Sequence, residues 1–328
     1  MGNLRSVVLA VLLATLSGCS PYGFSKEVGD LDSSVSGLTA SVNSGHQSLL
    51  NDTAASKRRD LIYHQRRVAI PPSCRQQPGR ATEGDPPCLA FAVGGTPIPA
   101  DPAPIAPKLK TMLAALKDYT SALAAVTKAS DRAEFDKEVA TLSKSIQGLV
   151  AATGVGATAA PVIGVGINLF GWLVGTALDQ QRYEALRKAV DYVDKPLDNG
   201  EKPMQVFANA LGTSLTALTL RRRNQLLADA DLVRAKIGPG MSEETYRARL
   251  ADLELLLANV DALRKTDPMA AAQGLAKAHE ELVKAVNNPK IDFAQLVKTL
   301  GDLKEKVSAL QSALEATTPA AGSSKKGA

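Results

Sequence analysis

The sequence predicts an all-α protein with a tethered N-terminal helix, an antiparallel bundle of several helices around a central apolar, glycine-rich helix, and little or no sheet. Aromatic residues make up only 4% of the 328-residue chain, and alanine, leucine, lysine and glutamate dominate its second half. Few stretches alternate apolar and polar residues as half-buried strands do. Such a composition favours helices that pack through small and medium aliphatic side chains.

The N-terminus carries an ordered set of export features. Arg5 provides a positive charge, residues 7–16 form an uncharged apolar run of 10 residues, and the small residues Ser17 and Gly18 precede Cys19. The run is shorter than the about 20 residues that span a bilayer, and it is typical of a signal sequence. This segment resembles the lipobox signal of bacterial prolipoproteins, and the resemblance covers only about the first 20 residues.

The resemblance implies a chemical fate for the N-terminus. Residues 1–18 would be removed as a signal peptide, and Cys19 would receive a diacylglycerol on its thiol and a fatty acid such as palmitate on its new amine. One acyl chain binds membranes only marginally, so several chains together give stable anchoring. Ser20 stands where inner-membrane members usually carry aspartate, which implies the outer membrane of a Gram-negative cell. Two alternatives stay open: an ordinary signal peptide with an incidental cysteine, and N-myristoylation at Gly2.

Residues 19–67 are predicted to form the lipidated tether and a heptad-patterned helix. Apolar residues between 28 and 49 recur three and four positions apart, as they do along the seam of a coiled coil. Serine and glycine fill other positions, so this helix would be weak alone and is expected to need a partner helix. The sequence therefore predicts a protein partner or self-association through residues 28–49. The seam consists of Val28, Leu31, Val35, Leu38, Val42 and Leu49.

Residues 68–107 are predicted to be an irregular, proline-rich insert. Ten of the chain's 18 prolines fall between 71 and 107, and proline disfavours regular structure because it fixes φ and lacks an amide donor. If Cys19 carries lipid, Cys74 and Cys88 remain as an even pair in an oxidising compartment, which predicts a disulfide. The alternative is two free thiols. Two cysteines with no histidine nearby do not make a zinc site.

Residues 108–316 show the apolar periodicity of a helical bundle. Asp131 followed by Glu134 forms a capping box, which predicts the start of a helix. Asp292 with Gln295 is expected to cap the last helix in the same way. Helices are predicted after 107 and over 131–152, 179–195, 203–236, 242–265, 268–287 and from 292 to about 314, followed by a disordered tail at 317–328.

An uncharged stretch of 34 residues, 145–178, lies in the middle of the chain. Gly171 and Gly175 form a GxxxG step, Gly164 lies seven residues before Gly171, and Trp172 is the single tryptophan. In a helix these glycines form a zipper along one face, which lets another backbone approach closely. Three interpretations are open: a central helix buried in the bundle, a membrane-inserting hairpin that resembles that of α-helical pore-forming toxins, and a simple transmembrane helix.

No set of residues specifies a reaction. The three histidines are not spaced as a helical metal pair, and the chain has no nucleophile elbow, phosphate loop or His-Glu-x-x-His motif. We therefore expect no catalysis, cofactor or metal, and with a net charge of only +5 on an envelope protein we expect no nucleic acid partner. The basic runs 57–59 and 221–223 are expected to be solvated helix faces. Asp229 and Asp231 are expected to be exposed, and His279 is expected to be solvated or at a boundary.

Taken together, these features predict an envelope lipoprotein whose helical bundle has a structural or protein-binding role. The alternative function is membrane insertion through residues 145–178, with the bundle hiding this stretch until it meets a membrane. The two functions differ in a measurable way, because only the second predicts that the chain makes lipid bilayers permeable.

Overall fold

The computed structural model describes residues 24–65, 67–69, 91–92, 107–152, 177–197 and 200–316. Within these residues the chain forms eight α-helices and one antiparallel pair of two-residue strands, which confirms the all-α class. The predicted sites Cys19, Cys74, Cys88, Gly164, Gly171, Trp172 and Gly175 lie outside the described residues. The elements are α1 (Ser25–Tyr63), β1 (Val68–Ala69), β2 (Phe91–Ala92), α2 (Pro107–Lys128), α3 (Arg132–Ala152), α4 (Leu178–Val193), α5 (Pro203–Arg234), α6 (Glu243–Arg264), α7 (Pro268–Asn287) and α8 (Pro289–Glu315).

Local signals account for where two of the helices begin. At the start of α3, the Glu134 amide donates to the Asp131 carboxylate at 2.9 Å, and the Glu134 carboxylate accepts from the Ser130 amide at 2.6 Å. This confirms the predicted capping box. The prediction that Asp292 starts the last helix is wrong, because α8 begins at Pro289. Proline suits the first turn of a helix, where an amide would have no helical partner.

The helices are divided between two compact units. Unit 1 comprises Met1–Thr39, Pro107–Thr213 and Met269–Val307, and unit 2 comprises Ala40–Ala106, Ser214–Pro268 and Ser308–Ala328. The helices α1, α5 and α8 each contribute residues to both units.

In unit 1, α2 and α3 form a helical hairpin, and both helices contact α4. The first part of α1 joins α2 through Asp32, whose carboxylate accepts hydrogen bonds from Thr120 at 2.7 Å and Ser121 at 2.8 Å. The helices α5 and α7 come close together at Gly212, where an added Cβ would lie 3.2 Å from the Cβ of Ala272. A residue larger than glycine at this position would therefore have to push α7 away.

In unit 2, Arg222 of α5 ties together the second part of α1 and the end of α8. Its side chain is fully buried and donates to the Asp52 carboxylate at 2.7 Å. It also donates to the carbonyl oxygens of Ala313 at 3.1 Å and Leu314 at 2.6 Å. Carbonyl groups in the last turn of a helix have no intrahelical donor, so Arg222 provides a cap for α8 and a partner for a buried carboxylate.

The predicted heptad helix exists, and its seam faces inward. Every seam residue from Val28 to Leu49 is at most 6% exposed, so the partner helices that the seam needs come from the same chain. Binding of another chain through this seam would require part of the bundle to open. The predicted interaction through residues 28–49 therefore stays a prediction, and the surface described next requires no such opening.

Candidate interaction surface

Helix α6 packs into unit 2 along a narrow line. Only Leu256, Asn259 and Leu263 of its 22 residues are buried. These positions recur three and four residues apart, so they lie on one side of the helix. The rest of the α6 surface is exposed or half-buried.

A buried ionic network fixes α6 in this position. Arg59, near the end of α1, is 1% exposed and reaches Asp252 of α6 through Nε at 3.1 Å and Nη2 at 3.0 Å. Its Nη1 donates to Asp229 of α5 at 3.0 Å. A guanidinium that donates two parallel hydrogen bonds to one carboxylate fixes the relative orientation of the two groups as well as their distance. The network therefore holds three helices of unit 2 in one arrangement.

The electrostatics of this network reflect its burial. Burial lowers the pKa of Arg59, but its hydrogen bond and attraction to Asp252, with the charge of Asp229, outweigh that effect and raise the pKa. Burial raises the pKa of Asp229, although hydrogen bonds from Ser56 and Gln225 and the charge of Arg59 oppose the shift. A buried carboxylate and guanidinium tolerate burial only because each pairs with the other.

A second contact sets the rotation of α6 about its axis. The Arg249 guanidinium lies over the ring of Tyr63, 5.3 Å from its centroid, and donates to the carbonyl of Lys236. The Tyr63 hydroxyl donates to Asp252 at 3.4 Å. Since Arg249 and Asp252 lie on the same side of α6 as its buried residues, these contacts hold that side inward.

With α6 held in this way, a row of apolar side chains lies beside the line of packing, with its first and fourth members exposed and the other three half-buried. It follows the 4-3-4-3 spacing of a helix-binding face and is displaced from the buried line by about 100° around the helix. Five of the six exposed large apolar side chains among the described residues belong to unit 2, including Tyr246 (43% exposed) and Leu257 (45%). We call this row the α6 stripe; it consists of Tyr246, Leu250, Leu253, Leu257 and Val260.

Unit 1 has a groove of about 750 Å³ between α2 and α3. Small residues line much of it, among them Ala114, Ala115, Ala125 and Gly148. Tryptophan, tyrosine and arginine side chains supply most of the binding energy at protein interfaces, and this lining has none of them. The α6 stripe is therefore the stronger candidate for a protein-binding surface.

The prediction of a solvated or boundary His279 is wrong, because this side chain is 1% exposed in unit 1. Its Nε2 lies 2.9 Å from the hydroxyl of Tyr119. Burial, with a smaller contribution from the charge of Lys202, lowers the pKa of His279 to about 3. Burial also raises the pKa of Tyr119 well above its usual value. Both groups are neutral at pH 7, and their mutual contact makes them a packing pair rather than an acid–base pair facing a substrate.

The predicted solvation of the two basic runs is also wrong in part. Arg59 and Arg222 are buried, while the neighbouring Arg58 and Arg221 are exposed. Asp229 is buried rather than exposed. Each buried group has its partner in a distant part of the chain, so no local pattern in the sequence marks it.

Within the described ranges, no cluster of three or more histidine, cysteine, aspartate or glutamate side chains has a geometry suited to a metal ion. Over the same residues, no helix has both the length and the hydropathy that crossing a bilayer requires. Comparison with known proteins finds no matching family model, no similar curated protein and no similar solved structure.

Proposed function

We propose that this chain is a lipid-anchored envelope protein, held at the outer membrane through Cys19, whose helical bundle binds protein through the α6 stripe. The observation that carries the binding role is the stripe itself: five apolar side chains at helix-binding spacing on a helix that a buried network holds in place. The anchor is supported by the order of charge, apolar run, small residues and cysteine in residues 5–19. The proposal includes no catalytic step.

The arrangement of the stripe distinguishes it from ordinary surface apolar residues. Single exposed leucines are common on folded proteins, whereas an aligned apolar row is typical of a docking face. Helices that dock in grooves or on other helices use anchors at i, i+4, i+7 and i+11, which is the spacing from Tyr246 to Leu257. Covering the row removes apolar surface from water, worth about 25 cal/mol per Å².

The anchor is tested by labelling with radioactive palmitate in a Gram-negative host. We expect the full chain to take up label and to fractionate with the outer membrane. Cys19→Ser should lose the label and accumulate as the uncleaved precursor. Cys74→Ser, a matched cysteine control, should keep both label and location. Equal labelling of the Cys19→Ser and Cys74→Ser chains would refute the proposed anchor.

The binding surface is tested by a photoreactive amino acid placed at Leu257 or at Ala258 in the anchored chain. Leu257 lies in the stripe, and its neighbour Ala258 is exposed on the solvent side of the same helix. We expect irradiation of cells to give a discrete protein adduct from position 257 and none from position 258. If neither position yields an adduct, the stripe is not a protein-binding surface.

A second candidate function is membrane insertion through residues 145–178. The sequence supports it, because this stretch of 34 residues contains no charge and includes the glycine zipper of Gly164, Gly171 and Gly175.

Dye release from liposomes distinguishes this second function from the first. If residues 145–178 insert, the chain 19–328 with Cys19→Ser, made without the signal segment, should release dye, and Gly171→Leu should abolish the release because it disrupts the glycine zipper. If the bundle only binds protein, neither chain should release dye above the level of buffer alone.

A further inference from the structure

We propose that the α6 stripe binds the α6 stripe of a second copy of this chain, with the two helices antiparallel. This inference rests on the proposed protein-binding function and names the partner. The stripe covers residues 246–260, and the ends of its helix differ in charge. Glu243 and Glu244 lie in the first turn, whereas Arg264 lies in the last turn and is followed by Lys265.

The charges beside the stripe favour an antiparallel pair. Arg247 and Asp261 border the stripe on its solvent side, 14 residues apart. When two copies align antiparallel about a two-fold axis near Leu255, Arg247 of each copy lies beside Asp261 of the other, so the contact forms twice. In a parallel pair the solvent sides of the two helices lie on opposite sides of the pair, so Arg247 of one copy has no such contact with Asp261 of the other.

The same alignment matches the apolar residues in layers. Leu253 of each copy faces Leu257 of the other, and Leu250 faces Val260, as knobs and holes alternate in antiparallel coiled coils. At each end of the stripe Tyr246 faces Arg264 of the other copy, where a guanidinium over an aromatic ring is favourable.

In the single chain, these charged side chains form exposed ion pairs within α6. Contacts with a second copy would replace these pairs. Arg247 lies 2.5 Å from Glu243, and Asp261 lies 2.8 Å from Arg264 and 2.6 Å from Lys265. The three basic side chains are largely exposed, so these pairs contribute little to stability. Arg247 and Arg264 are therefore available for contacts with a second copy.

The length of the stripe predicts a weak pair in solution. The stripe is about 21 Å long and is narrower than a stable interface, which buries about 800 Å² on each partner. Two copies anchored in one membrane share a small volume, which raises the effective concentration of each for the other. We therefore expect the pair to form among anchored copies and to be sparse in solution among copies of the chain 19–328 with Cys19→Ser, made without the signal segment.

The alignment is tested by disulfide cross-linking of the lipidated full chain in vesicles of phosphatidylethanolamine and phosphatidylglycerol. Vesicles contain the Arg247→Cys chain, the Asp261→Cys chain or a mixture of the two, and are then oxidised. Mass spectrometry of the linked peptides identifies each disulfide and distinguishes it from links of the native cysteines. We expect a link from position 247 to position 261 in the mixture and none in either chain alone. Links from 247 to 247 or from 261 to 261 in place of the 247–261 link indicate a different pairing and refute the alignment, and absence of all links between α6 helices refutes self-association.

Two further variants test which contacts hold the pair together. Leu257→Glu places a charge in an apolar layer and should lower the yield of the 247–261 link at least about tenfold, whereas Ala258→Glu, its matched control, should leave the yield unchanged. At the centre of the pair, Glu254 of one copy lies near Glu254 of the other. Because Glu254→Gln removes this repulsion between like charges, it should raise the yield of the 247–261 link. Equal yields in the Leu257→Glu and Ala258→Glu chains would contradict the proposed interface.

The photocrosslinking adduct separates failure of this inference from failure of the proposed function. An adduct at Leu257 with twice the mass of the chain supports self-association. An adduct that contains a different protein, together with no link between α6 helices, refutes self-association and leaves the protein-binding function standing. Absence of any adduct and any link refutes both.

Discussion

Acid should destabilise this protein through a single buried histidine. His279 has an ordinary pKa of 6.5 when unfolded and of about 3 when buried against Tyr119. Between these values the unfolded chain binds one more proton than the folded chain, so stability rises with pH. Stability is therefore fully present above about pH 6.5 and is lost as the pH falls towards about 3.

The size of the effect follows from the two pKa values. A shift of one pKa unit corresponds to 1.36 kcal/mol, so the whole difference from 6.5 to about 3 corresponds to a loss of about 5 kcal/mol at very low pH. At pH 5 the histidine of the unfolded chain is almost fully protonated, and the loss relative to pH 7 is about 2 kcal/mol. Such a loss is a large fraction of the stability of a typical domain.

Urea unfolding at pH 7 and pH 5 measures this loss. In His279→Gln, the amide oxygen can accept the hydrogen bond of Tyr119, and the side chain does not titrate, so carboxylates common to both chains cancel in the comparison. We expect the original chain to lose about 2 kcal/mol more than His279→Gln between pH 7 and pH 5. His64→Gln, at an exposed position directly after α1, serves as the control for loss of a histidine. A difference below about 0.5 kcal/mol would show that His279 is not held neutral by burial.

Three further changes test other parts of the fold. Arg222→Met leaves a buried carboxylate in α1 without its guanidinium and should lower the free energy of unfolding by about 3–5 kcal/mol in a urea titration. Gly301→Ala, where an added Cβ meets nothing within 4 Å, should raise that free energy by up to about 1 kcal/mol. Gly212→Ala should instead lower it by about 1–3 kcal/mol, because α7 blocks the new methyl group; a gain at both positions would contradict the close contact of α5 and α7. Cys74 and Cys88 should resist alkylation until they are reduced, with a loss of about 3 kcal/mol on reduction, and free alkylation of the oxidised chain would contradict the disulfide.

A short strand pair is the part of the described fold that is not helical. β1 and β2 pair in antiparallel register, with Ala69 opposite Phe91. These positions bracket the two cysteines, so the two ends of the segment that contains the cysteines lie side by side. The position of the strands was not predictable from the sequence, because a two-residue strand has no detectable alternation.

Helix positions were predictable because they depend on local patterns. Apolar residues three and four apart marked the helices of the bundle, and the Asp131 capping box marked the start of α3 correctly. The capping carboxylate of Asp292 predicts a start of α8 three residues later than the observed one, because the backbone preference of Pro289 is the weaker signal in the sequence. Both signals are compatible with a helix start, and the earlier one prevailed because nothing between them interrupts helical backbone.

Burial of charged and titratable residues was not predictable, because it depends on partners far away in sequence. Arg59 and Asp229 are 170 residues apart, and Tyr119 and His279 are 160 residues apart. In the sequence, Arg59 belongs to a basic run that resembles a solvated face. The two neighbouring arginines of the run differ in burial: Arg58 is exposed, whereas Arg59 is buried and its guanidinium pairs with two carboxylates. A single sequence does not show which distant carboxylates such an arginine will contact.

The same limit explains why the candidate surface did not emerge from the sequence. Helix α6 has apolar residues on two adjoining sides, and its spacing alone is compatible with either side facing the core. The side that contains Asp252 and Leu256 faces inward because Asp252 is the bidentate partner of Arg59. Because one side of a helix packs at the expense of another, this ionic contact leaves the α6 stripe at the surface, with Tyr246 and Leu257 exposed. A buried salt bridge of little net stability thus determines which apolar surface the protein presents.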